Sequence, residues 1–92
     1  MTSKRLSYSH IEQQLAAIIR RHGYRRAGWW LGEEAAAHLG LGAGHHTRHD
    51  AARAIRAGFI VTADLGYTGT LSANAGRTVE IHPNDLGLIV RS

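Results

Sequence analysis

The sequence predicts an α+β domain in which three helices precede a small antiparallel sheet or hairpin. Three observations predict it. In the first half, Ile11, Leu15, Ile18 and Ile19 fall at i, i+4, i+7 and i+8, one stripe of a helix. After Gly58 the period changes: Leu71 and Ala73, then Val79 and Ile81, alternate with polar neighbours as half-buried strands do. The length of 92 residues suits one small domain with a thin core.

The elements follow in chain order. Residues 1–8 read as a polar, fraying lead, and the domain as residues 9–92. Ser9-His10-Ile11-Glu12 has the spacing of a capping box, so the first helix is expected from about His10 to His22. Arg20, Arg21 and His22 suit its C-terminal dipole, and Gly23 stops it. Arg25 to Leu31, with the pair Trp29-Trp30, reads as extended, one tryptophan facing the core and the other semi-exposed. Glu33 to Leu39 is a short helix with two glutamates in its first turn and Gly40 after its end. Gly40 to Gly44, "GLGAG", reads as a tight turn. A third helix is expected from about His45 or Thr47 to Ala57, with Thr47 and Asp50 as a capping box and Gly58 as its stop.

Phe59 to Ala63 reads as a strand. Asn74-Ala75-Gly76 reads as a three-residue hairpin loop and His82-Pro83-Asn84-Asp85 as a turn. Leu86 to Val90 is expected to be a closing strand. "LGYTG", Leu65 to Gly69, is expected to be the most mobile internal loop.

Composition narrows the function classes. There is no cysteine, so disulfides and thiolate metal sites are excluded. No apolar run approaches the roughly 20 residues that span a bilayer. The basic N-terminus lacks an apolar segment behind it, so no signal peptide and no membrane partner is expected, and the expected location is cytoplasmic. Charge is uneven. Residues 1–58 hold nine Lys/Arg against four Asp/Glu, a balance of +5; residues 59–92 hold two against three, a balance of −1. An anionic partner would therefore meet the first two-thirds. Arginine outnumbers lysine ten to one, which suits phosphate and base-edge contacts, although a GC-rich coding sequence gives the same excess.

The segment "EEAAAHLGLGAGHHTRHDAARAIRAGFIVTADL" resembles the helix-turn-helix core of winged-helix DNA-binding domains. Its order is a short alanine-rich helix, an "xLGL" turn, a second helix, "aGfi" and a hairpin wing. The resemblance covers about Ile11 to Pro83 and implies a winged helix-turn-helix-like fold, duplex DNA as partner, a homodimer and a role in transcriptional regulation. The residues carry a physical reading of their own. Ala36 and Ala37 allow close helix approach, and Leu39 and Leu41 bracket the turn. Ala51, Ala52, Ile55 and Phe59 form the third helix's buried side. His45, His49, Arg53 and Arg56 fall at i, i+4, i+8 and i+11 on another side. Arg48 stands near the end of a recognition helix that meets base edges. The expected contacts are thus Arg48, His49, Arg53 and Arg56 on bases or phosphates, with Arg25, Arg26 and Arg77 adding phosphate contacts. The glycine-rich turn and a wing whose sole cation is Arg77 depart from the family pattern.

Other classes have weaker signals. His45 and His49 share the i, i+4 spacing of helical metal ligands, but spacing compels no third ligand among His38, Glu34 and Asp50, so no metal or cofactor is expected. Asp50 with His46 or His49 makes an acid–base pair without a marked nucleophile, so no enzyme is expected. The runner-up is a small inhibitor or adaptor of the kind phages encode, anti-defence proteins included. It would bind a protein through Trp29/Trp30 or the weakly charged hairpin.

Overall fold

The computed structural model describes residues 7–69 and 77–87. They form an α+β domain of three helices and a four-stranded antiparallel sheet. The element order is α1 (Tyr8–Arg21), β1 (Ala27–Leu31), α2 (Glu33–His38), β2 (Gly44–His46), α3 (Arg48–Arg56), β3 (Val61–Leu65) and β4 (Thr78–Ile81), followed by a 3₁₀ turn, Pro83–Leu86. Strand order in the sheet is β2-β1-β3-β4.

α1 begins earlier than the Ser9 capping box implies. Its N-cap is Ser7, whose hydroxyl accepts the amide of His10 at 3.1 Å. Ser7 caps the helix without a Glu or Gln three residues on, since that position is His10. Glu12, the residue that a Ser9 box would turn back on the helix end, instead reaches His49 on α3. Tyr8 consequently lies inside the helix rather than in the lead. The stripe Ile11, Leu15, Ile18 and Ile19 is buried, as its period required.

Packing on α3 follows the same logic. Ala51, Ala52, Ala54 and Ile55 have no solvent exposure. Their small side chains let α3 lie close against α1 and over β1 and β3. In α2 the buried alanines are the middle pair, Ala35 and Ala36, whereas Ala37 is exposed, about 100° further round the helix from Ala36. Leu39 and Leu41 pack against the core.

The sheet departs from the expected one: two of its four strands, β1 and β2, lie among the helices rather than after them. Gly44–His46 is a strand, not part of a tight turn: Trp29, Trp30 and Leu31 pair with His46, His45 and Gly44. β3 starts at Val61, two residues after Phe59, because Ala54 and Ile55 carbonyls hold the amides of Phe59 and Gly58 in the helix exit. Register then sorts the faces. Val61, Ala63 and Leu65 are buried with Trp29, Leu31 and Ile81, while Gly28, Trp30, Thr62 and Asp64 point to the opposite face. Trp29 is 6 % exposed and Trp30 44 %, the division expected of neighbouring strand residues.

Leu86, expected to open a closing strand, ends the 3₁₀ turn instead. Asp85 accepts the His82 amide at 3.0 Å, and Gly87 follows with a left-handed φ of 71°. The hairpin loop Asn74-Ala75-Gly76, the alternation at Leu71 and Ala73, and the rest of the expected closing strand lie outside the described residues. Among the described residues no helix is long and apolar enough to cross a membrane.

Candidate nucleic-acid interface

The seven residues singled out from the sequence differ in what surrounds them. They fall into three groups, and the fold explains each.

The first group is Arg25, Arg26 and Arg48. The two former precede β1, and the latter is the first residue of α3. All three line one cleft of about 510 Å³ between the start of β1, the end of β2 and the first turn of α3. Its apolar wall includes Ala16 and Ile19 of α1. All three arginines are exposed, and among the described residues no carboxylate pairs with them. Thr47 caps α3 by accepting the Asp50 amide at 3.1 Å, which fixes where Arg48 leaves the backbone. The cleft therefore gathers three arginines that form no ion pair among the described residues.

The second group is His49, Arg53 and Arg56, along the flank of α3. Each is engaged. His49 Nδ1 donates to Glu12 Oε2 at 2.7 Å, and its ring meets Tyr8 edge-on. Arg53 Nη1 donates to Asp50 Oδ1 at 3.0 Å, one turn back on the same helix. The Arg56 guanidinium lies over the Tyr8 ring, 4.5 Å from its centroid. Arg53 and Arg56 also line a second cavity of about 400 Å³ with Tyr8 and His38. His45, expected on this flank, is not on the helix: it sits in β2, and α3 starts three residues later.

The third is Arg77, just before β4, whose guanidinium lies 5.5 Å from the Tyr24 ring centroid.

His45 and His49 are thus parted by the β2–α3 junction and face different carboxylates, Asp64 at 3.5 Å and Glu12 at 2.7 Å. Among the described residues no group of three or more His, Asp or Glu is placed to hold a metal ion.

A cluster that sequence reading missed stands beside the first group. The rings of His45 and Tyr67 stack with centroids 4.0 Å apart and planes 20° from parallel. Trp30 meets His45 edge-on at 5.3 Å. The sequence predicts Tyr67 in a mobile loop. In fact Leu65 closes β3, Gly66 donates its amide to Arg26 at 2.8 Å, and Tyr67 packs over β1. The space for the rings is made by Gly28: a Cβ there would lie 2.5 Å from Tyr67 Cδ2 and 2.7 Å from His45 Cδ2. A lone glycine inside a strand was the available signal, since it marks close approach of another group.

No family model, curated protein or solved structure matches this chain. The cleft and its border offer two kinds of chemistry: three arginines with no carboxylate partner among the described residues, and stacked rings.

Proposed function

We propose that the chain is a DNA-binding domain of winged helix-turn-helix-like architecture, a transcriptional regulator that directs α3 toward the major groove as a homodimer. The observation that carries the reading is the shared cleft of Arg25, Arg26 and Arg48. Arg48 at the first turn of α3 is suited to a base edge or phosphate, and Arg25 and Arg26 to flanking phosphates. His49, Arg53 and Arg56 then form a rim whose charges are partly spent within the protein, and Arg77 adds a further phosphate contact. β2 is an addition to the three helices and hairpin of that architecture, and it is what brings His45 beside the cleft.

The test is fluorescence anisotropy of a mixed-sequence duplex between 50 and 200 mM salt. The expected result is measurable affinity at low salt, with log K falling by about 0.9 per phosphate contact for each tenfold rise in salt. Absence of binding at 50 mM salt overturns the reading.

A second reading is favoured by one observation. Trp30 on the sheet and Ile60 before β3 are 44 % and 47 % exposed. Exposed large apolar side chains suit a protein partner, as in the inhibitor or adaptor class, or a second copy of this chain. Nuclease-treated pull-down with the wild-type chain and with Trp30→Ser tests it; equal recovery of partners by both removes Trp30 from any interface.

A further inference from the structure

We propose that the cleft at the start of α3 takes an unpaired nucleotide, its phosphate on the arginines and its base against Tyr67. The DNA bound by this domain would accordingly be duplex with a single-stranded extension. This rests on the DNA-binding reading and narrows its substrate.

Four observations carry it. The cleft measures about 510 Å³, within the roughly 300–1,000 Å³ typical of small-ligand sites and large for a bare phosphate contact. Arg25, Arg26 and Arg48 supply cationic donors without a neutralising carboxylate among the described residues. Tyr67 lines the same cleft and is held upright by its stack on His45 over Gly28. A ring fixed in this way loses little freedom when a base stacks on it, which is how single-strand binders gain affinity without sequence preference.

The fourth observation is in the backbone. Arg26 directs its carbonyl toward β3, where the amide of Gly66 meets it at 2.8 Å. Strand alternation turns the N–H and C=O of the next residue, Ala27, toward the β2 side. β2 has ended there, because its pairing stops at Trp29 with His46. Ala27 lines the cleft, and on its β2 side its main-chain N–H and C=O have no strand partner among the described residues. Such a pair can meet the Watson–Crick edge of an unpaired base, which pairing would occupy. His46 is not spare for this role, since its Nε2 donates to the Gly42 carbonyl at 2.6 Å. Asp64 touches His45 and does not line the cleft.

The experiment compares a blunt DNA hairpin with the same hairpin carrying a four-thymidine tail at the 5′ or the 3′ end, by anisotropy at fixed low salt. For the wild-type chain the tail on one of the two ends raises affinity about fivefold or more, the scale of one base–aromatic stack. Tyr67→Phe keeps this tailed-to-blunt ratio, and Tyr67→Ala brings it to about one, with thermal melts confirming that both fold. Equal wild-type affinity for blunt and tailed hairpins overturns the inference and leaves the DNA-binding reading standing. Binding of neither hairpin overturns both.

Discussion

The start of α3 and its flank carry similar residues and differ in what surrounds them. At the start, Arg48 joins Arg25 and Arg26 around a cleft, and among the described residues no acid pairs with them. Along the flank, Glu12 takes His49, Asp50 takes Arg53, and the Tyr8 ring lies under Arg56. A cation already in a short ion pair must break or share that contact to meet a phosphate, so it contributes less to binding than a solvated one. The difference teaches that counting arginines on a helix does not measure its attraction for DNA. What matters is which of them lack a counter-charge among the described residues.

The largest expected effect breaks the comparison at its stronger side. Arg25→Ala, Arg26→Ala and Arg48→Ala together remove up to three phosphate contacts. The salt slope should then fall by about 2.7, and affinity at 50 mM salt by more than about a hundredfold. A slope equal to that of the wild type, measured by anisotropy, would remove the cleft from the proposed DNA interface.

Next comes the ring cluster beside the cleft. Gly28→Ala forces a Cβ against Tyr67 and His45 and should lower stability by about 1–3 kcal/mol in denaturant unfolding. Gly42→Ala is its counterpart: nothing lies within 4 Å of the added carbon and the backbone needs no left-handed φ. It should leave stability unchanged or raise it by up to about 1 kcal/mol. If both variants unfold alike, Gly28 is not a packing requirement.

The flank should respond more weakly. Arg53→Ala with Arg56→Ala is expected to weaken duplex binding less than about tenfold and to flatten the salt slope by less than one full contact. A loss matching that of the three cleft arginines would restore the flank as the main interface. An unchanged affinity and slope would remove it altogether.

The smallest effect sharpens how the flank is built. Ser7→Ala removes the cap that puts Tyr8 in the helix beneath Arg56 and should cost about 1 kcal/mol. Ser9→Ala should stay within about 0.5 kcal/mol, since Ser9 lies inside the helix. Chemical denaturation of the two variants side by side checks the choice of cap.

Much of the scaffold was readable in the residues. The period of Ile11, Leu15, Ile18 and Ile19 defines the buried side of α1 because a helix repeats its faces every 3.6 residues. Thr47 spaced three before Asp50 fixes the start of α3, and strand alternation separates Trp29 from Trp30. These are local rules, each acting within a few residues. The site was readable only as a set of basic positions. Gly44–His46 becomes a strand because β1 offers it a partner, and no local pattern in "GLGAGHH" announces that.

By itself, then, the sequence determined the three helices, the change to strands after Gly58, the absence of thiol chemistry and the basic first two-thirds. Tertiary structure alone decided which cations are spent and which are not. It joined Arg48 to residues more than twenty positions earlier, set Glu12 on His49, and stood Tyr67 on Gly28 beside His45. The physical reason is range: capping and periodicity act between near neighbours, whereas charge compensation and ring stacking depend on distances that exist only once the chain has closed on itself.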